Sequence, residues 1–239
     1  SKKEVFLNAL QEILTIKNIV NKQLKATLIF QSVIPSAENI FGNIENYLAE
    51  TKNKIIDDIN EEILSMSEQS DVLFFNIEET AKRVGLANWL DHRMYYWAKL
   101  PFNASFYGIY ASKLINLIAA DKGLTKKALV LDLDNTLWGG VIGDDGVDGI
   151  KASVGDPKGE SFLNFQEYCK RLKSRGILLA VCSKNTLENA LLPFKENPDM
   201  VLHEDDFVVF KANWNNKADN IREIAEEMNI GLDSMVFVD

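Results

Sequence analysis

Apolar positions along this chain recur with two periods, and the change from one to the other outlines its elements. Phe6, Ala9, Leu10, Ile13 and Val20 fall three and four residues apart or at multiples of that spacing, which marks one face of a helix. A strand-like run, Thr27-Leu28-Ile29-Phe30, comes next and stops at Pro35. The stretch from Asn39 to Met66 reads as one long helix, and Val72-Leu73-Phe74-Phe75 as another short strand. Aromatics then crowd at Trp89, Tyr95, Tyr96, Trp97, Phe102, Phe106 and Tyr107, a density more typical of a packed core than of a cofactor box. Further on the pattern changes to unbroken apolar runs, Ala128 to Leu133, Gly176 to Ser183 and Met235 to Val238. Runs of that kind suit strands buried on both faces of a parallel sheet. Between them, Phe162, Phe165, Cys169 and Leu172 have helical spacing, as do Ala218, Ile221, Ala225 and Met228 in a helix opened by Trp214-Asn215-Asn216-Lys217. Val141-Ile142-Gly143-Asp144-Asp145-Gly146-Val147 reads as a hairpin, because Asp-Gly is a strong turn signal. Strands alternating with helices predict an α/β protein. Two modules are expected, 1–124 and 125–239, joined by the short polar segment Asp121 to Lys127.

Composition narrows the function classes. With 239 residues and 46% hydrophobic content there is ample material for one large or two modest cores. A net charge of −9 makes a nucleic-acid backbone an unsuitable ligand, since binding it relies on concentrated Lys and Arg. Two Cys, no apolar stretch long enough for a bilayer and no signal-peptide pattern point to a cytoplasmic protein without membrane partners. The two His stand far apart, which argues against a zinc site.

Chemistry concentrates where the first long apolar run ends, at Asp132-Leu133-Asp134-Asn135-Thr136. In open parallel sheets ligands bind at the carboxyl ends of the strands, so both carboxylates stand where a reaction can occur. One can attack phosphorus and the other, two residues on, can move the leaving group's proton. A calcium loop is the competing reading and fails: Leu137 stands where the turn glycine belongs, Gly143 where the bidentate Glu belongs, and a strand precedes instead of a helix. Downstream, the second run ends in Val181-Cys182-Ser183-Lys184-Asn185, and Lys217 opens a helix, where the dipole disfavours a cation unless an anion is to be bound. The run Met235-Val236-Phe237-Val238 ends in Asp239.

These segments, in this order, resemble the four motifs of the haloacid dehalogenase (HAD) superfamily, and Leu137-Trp138-Gly139-Gly140-Val141-Ile142-Gly143 narrows the resemblance to its FkbH-like branch. The resemblance implies a Rossmann-like HAD domain with a parallel sheet, preceded by a smaller α/β module similar to the later part of an SGNH-hydrolase fold. It implies Asp132 as nucleophile and Asp134 as general acid and then base. Ser183 and Lys217 would hold the transferring phosphoryl and offset its charge, with Asn135, Thr136 and Lys184 as further phosphate-binding candidates. Carboxylates converging on one spot call for a hard cation, and Mg²⁺ is the cofactor implied, with Asp132, the backbone carbonyl of Asp134 and Asp239 as ligands. FkbH-like sequences continue past the last strand with a second Asp and Asn-Pro; this chain stops at Asp239, so truncation within that motif, and at the start as well, is the expectation.

The segment between the first two motifs is too short for a separate cap domain, so an open site is expected. Trp138 and its neighbouring glycines either touch substrate there or only pack a turn. By the resemblance, the reaction takes a glyceryl group from 1,3-bisphosphoglycerate, releases phosphate and loads an acyl carrier protein, in polyketide or polysaccharide biosynthesis. Cys182 is a candidate acyl thiol for that route, although a small buried residue at the end of a central strand is the favoured reading. A plain phosphatase acting on a sugar or other small phosphate is the second reading, and a non-catalytic module that docks a carrier protein the third. In the first module no Gly-Asp-Ser nucleophile block occurs, and Asp91-His92 lacks the spacing that SGNH hydrolases use, so both residues are expected to be structural.

Overall fold

The chain folds as two units, Ser1–Lys122 and Gly123–Asp239. The structure, a computed structural model, describes residues 2–24, 26–35, 37, 40–68 and 72–239. In the first unit, helix α1 (Lys2–Ile19) half-buries Phe6, Ala9, Leu10 and Ile13, and a π-helical turn at Val20–Leu24 ends it. Strand β1 (Leu28–Gln31) is followed by a short 3₁₀ helix at Gly42–Tyr47 and helix α2 (Lys52–Glu68), and then by strand β2 (Val72–Phe75), which pairs with β1 in parallel. The single long helix expected from Asn39 to Met66 is therefore divided; Asn39 itself lies outside the described residues. The break has a local cause. Leu48 is extended, and the Thr51 hydroxyl accepts a hydrogen bond from the backbone N–H of Lys54 at 3.3 Å, the cap of a new helix.

Among the described residues this unit continues with the α-helices α3 (Ile77–Val84), α4 (Leu86–Trp89), α5 (His92–Ala98) and α6 (Tyr107–Asp121), with a 3₁₀ turn at Ala104–Phe106 before the last. Phe75, Ile77, Ala81 and Trp89 form the core, where the Trp89 ring stacks on Phe102 and Phe106 with centroids 4.7 and 5.5 Å away. The aromatic cluster thus splits, because Tyr95, Tyr96 and Trp97 are consecutive on α5 and exposed. Asp91 caps α5 by accepting the Met94 N–H at 3.1 Å, which gives it a structural task.

The second unit is built on β3 (Ala128–Leu131), α7 (Ile142–Gly149), α8 (Pro157–Ser174), β4 (Leu178–Ser183), α9 (Leu187–Glu196), β5 (Val209–Ala212), α10 (Lys217–Glu227) and β6 (Met235–Val238). Its four strands form a parallel sheet in the order β5-β4-β3-β6. Alternation along β3 and β4 sends Leu129, Leu131, Leu133, Leu179 and Val181 to one face, against Leu163 and Cys169 of α8 and Phe194 of α9. Val130, Ala180 and Cys182 go to the other, against Ile224 and Ala225 of α10. Burial on both faces is why β3 and the middle of β4 are apolar at successive positions, whereas β6, at the edge of the sheet, leaves Val236 and Phe237 exposed. On α10 the buried stripe is Asn220, Ile224 and Ala225, flanked by half-buried Ile221 and Met228, while Ala218, expected on that face, is exposed.

Between β3 and β4 the chain forms α7, α8 and their connections, with no inserted domain. The hairpin expected at Val141 to Val147 is instead the irregular helix α7, bent at Gly146 (φ 67°, ψ 177°). Carboxylates decide this outcome. Asp145 accepts the Val141 N–H at 2.8 Å and Asp134 the Ile142 N–H at 3.0 Å, satisfying first-turn donors that a hairpin would have turned toward a partner strand. Only the ends of the loop pair, Gly139 with Lys151, by hydrogen bonds of 3.0 and 2.7 Å. Gly140 (φ 102°) is needed at the bend, since a Cβ there would stand 2.6 Å from the Asp145 carboxylate. Among the described residues no helix is long and apolar enough to cross a membrane.

Candidate active site

Parallel strands bring their carboxyl ends to one edge of the sheet, and the polar residues singled out in the sequence collect there. Asp132 follows β3, Ser183 ends β4, Asp239 follows β6 and Lys217 begins α10 just after β5. Register does the fine placement. Leu131 lies opposite Val238, and the Asp132 N–H donates to the Val238 carbonyl at 2.9 Å, so Asp132 and Asp239 stand level on adjacent strands. By the alternation of β3, Asp132 faces α10, from which Lys217 Nζ reaches Asp132 Oδ2 at 2.7 Å and Asp239 Oδ2 at 2.8 Å. Asn216 caps that helix by accepting the Ala218 N–H at 2.9 Å, which fixes Lys217 in its first turn.

Electrostatics at this cluster favour the charged forms of Lys217 and Asp239. Burial works against the charge on Lys217, but its hydrogen bonds to Asp132 and Asp239 outweigh that and hold it above the usual lysine range. The hydrogen bond from Lys217 holds the Asp239 carboxyl below its ordinary value, against a smaller opposing effect of burial. Two carboxylates and one ammonium leave the group with a net negative charge. Asp132 Oδ1 is buried and has no hydrogen-bond partner among the described residues, an acceptor that a cation would satisfy. Among the described residues no three His, Cys, Asp or Glu side chains gather as a metal cage. Two carboxylates supplemented by a backbone carbonyl suit a cation that keeps most of its water, as Mg²⁺ does.

The chain folds like a phosphatase domain solved with Mg. That structure is the N-terminal part of the protein BF1531 from Bacteroides fragilis, described as containing a phosphatase domain complexed with Mg. The TM-score is 0.87 and the sequences are 37% identical, over 99% of this chain and 63% of that one. This chain therefore spans less than two thirds of the length of that structure. No family model and no curated protein matches the chain.

Several of the remaining candidate residues are tied into the loops after β3 and β4. Asp134 Oδ1 accepts from Trp138 Nε1 at 2.9 Å and from the Ile142 N–H at 3.0 Å, and its Oδ2 accepts from Asn185 Nδ2 at 3.1 Å. Its carboxylate is thus oriented by three donors. Trp138 is fully buried, with its ring edge-on to Phe194, so it positions Asp134 and packs the core and has no free face for a substrate. Asn135 takes a left-handed conformation (φ 58°), and its Oδ1 accepts the Gly140 N–H at 3.0 Å, which ties down the loop. Thr136 and Ser183 are buried, whereas Lys184 is exposed on the turn that follows β4.

Cys182 does not suit the role of acyl thiol. Its side chain is fully buried on the α10 face, and its Sγ lies 3.7 Å from the Lys217 carbonyl oxygen, to which it donates. Burial pushes its pKa up, and the carboxylates of Asp132 and Asp239 add to this, while Lys217 opposes them. The lowered pKa that an acyl-accepting thiol requires is replaced by its opposite, the environment of a small core residue. Asn185, which donates to Asp134 at 3.1 Å, is the partner that pattern reasoning passed over. It stands in the same short segment as Ser183, but an amide in a turn has no chemical signature until its partner Asp134, in the loop after β3, is known.

Proposed function

We propose that the protein is a Mg²⁺-dependent phosphatase of the HAD type, acting on a small phosphorylated substrate through an aspartyl-phosphate. The observation that carries this reading is the triangle of Asp132, Lys217 and Asp239, with Asp132 Oδ1 left unpartnered at the carboxyl edge of the sheet. Asp132 attacks phosphorus and the bond from phosphorus to the leaving-group oxygen breaks as that oxygen takes a proton from Asp134. Asp134 then takes a proton from the water that hydrolyses the aspartyl-phosphate, and inorganic phosphate leaves with Asp132 restored. Ser183 donates to a phosphoryl oxygen, and Lys217 offsets the charge that builds on the phosphoryl group. Mg²⁺, held by the side chains of Asp132 and Asp239 and the backbone carbonyl of Asp134, would neutralise the carboxylates and the phosphoryl oxygens together. Support for the metal comes from the orphaned acceptor and from the Mg complex of the similar phosphatase domain.

A narrower reading, FkbH-like glyceryl transfer, draws on the resemblance at Leu137 to Gly143 and on the absence of an inserted domain between β3 and β4, which leaves room for a carrier protein's arm. With Cys182 buried, the glyceryl group would pass directly to the carrier's thiol. One assay covers both readings. Phosphate release from a panel of small phosphate esters should require Mg²⁺, stop with EDTA and fall by several orders of magnitude in Asp132→Asn. Residual activity above a few percent of the wild type in that variant would refute the nucleophile assignment. With 1,3-bisphosphoglycerate and an acyl carrier protein present, mass spectrometry showing a glyceryl adduct on the carrier supports transfer, and free glycerate species alone support the phosphatase.

A further inference from the structure

One side chain at the carboxyl edge has no part in the phosphoryl chemistry above. Trp214 stands in the connection from β5 to α10, which starts beside Ser183 and ends at Lys217: the Asn213 N–H donates to the Ser183 carbonyl at 3.2 Å, and Lys217, three residues after Trp214, opens α10. The residues around it are pinned. Asn213 and Asn220 pair through their amides in both directions, at 3.2 and 2.8 Å, Asn213 Oδ1 also accepts the Asn215 N–H at 2.9 Å, and Asn216 caps α10. Against this rigid backing the Trp214 side chain is left in solvent, with the residue 72% exposed. Exposing an indole forgoes a large apolar burial, and here it happens in a loop ordered by five polar contacts and flanked by two residues of the site. The exposed residues beside it, Asn215 and Asn216, carry amides, which suit hydroxyl groups.

We propose that Trp214 is a specificity platform of this site, its indole stacking on the apolar face of a sugar ring whose phosphate is bound by Ser183 and Lys217. A sugar ring has the two kinds of surface this rim presents, a flat C–H face for the indole and peripheral hydroxyls for the neighbouring amides. The inference rests on the phosphatase reading and names the substrate class within it.

The test compares two esters on the full chain with Mg²⁺: acetyl phosphate, which has no ring, and a panel of hexose and pentose phosphates. In Trp214→Ala the ratio of kcat/KM for the preferred sugar phosphate to that for acetyl phosphate should fall by roughly 3- to 10-fold, through KM, as expected for loss of an aromatic stacking contact. Trp214→Phe should restore most of the ratio. An unchanged ratio in Trp214→Ala, or hydrolysis of acetyl phosphate with no activity on any sugar phosphate, overturns the platform and leaves the phosphatase standing. No hydrolysis of either ester by the wild type overturns both.

Discussion

Lys217 occupies a position that its own helix disfavours, a cation in the first turn, and it is held there by two carboxylates at 2.7 and 2.8 Å. The ammonium bridges Asp132 and Asp239 and so keeps them together despite their like charge. Cys182, on the same face, is the contrasting case. It adjoins the cluster yet is sealed from solvent, and burial raises its pKa; Cys169 in the other core is pushed up to about 11 for the same reason. Both thiols should therefore resist labelling by an alkylating reagent in the native protein at neutral pH and react promptly once it is unfolded. Rapid native labelling of Cys182, read by peptide mass spectrometry, would return it to the list of candidate acyl carriers.

The elements around the site are fastened by polar side chains that reach between them. Gln166 of α8, fully buried, donates from Nε2 to the Leu137 carbonyl at 2.8 Å and accepts the N–H groups of Val201 and Leu202 at 3.0 and 3.1 Å. It links the loop after β3 to the approach to β5. Asp206, in the 3₁₀ turn Glu204–Asp206, performs a similar task outside the core: it accepts the His203 N–H at 2.9 Å and binds Lys173 of α8 at 2.7 Å, with Lys170 at 3.6 Å. Burial alone would raise its pKa, but the hydrogen bond from Lys173, the one from the His203 N–H and the two lysine charges together hold it below the ordinary carboxylate value. A carboxylate with a depressed folded pKa stabilises the fold above the unfolded value, near pH 4, and loses that contribution as pH falls through the folded value. Asp206→Asn should accordingly cost about 1–3 kcal/mol at neutral pH. Thermal melts of the variant should converge with those of the wild type as pH drops below about 4. A constant difference in Tm across that range would show that the ion pairs contribute nothing.

For the whole molecule, the division between what is local and what is long-range follows the physics of each feature. The parallel sheet of Gly123–Asp239 was legible because β3 and β4 are buried on both faces, and such burial writes an uninterrupted apolar run. Strands β1 and β2 of the first unit were legible for a related reason, as short runs of β-formers bounded by breakers. The failures were local conflicts settled by side chains. At Val141 to Val147 an Asp-Gly turn signal lost to the carboxylates of Asp134 and Asp145, and within Asn39 to Met66 the Thr51 cap started a new helix. In the candidate site, Asp132, Asp134, Ser183, Lys217 and Asp239 could be singled out because each ends or follows a strand or opens a helix in a recognisable pattern. By itself, then, the sequence determined the α/β class, the strands and the residue types available for chemistry, since hydrophobic period and terminal signals act over a few neighbouring positions. Tertiary structure alone decided that Lys217 meets Asp132 across 85 positions and Asp239 across 22, that Asn185 and Trp138 orient Asp134, that Cys182 is sealed and that Trp214 is exposed. Each of these depends on strand register and on which side chain an opposing element supplies, and neither is encoded in the period of any single segment.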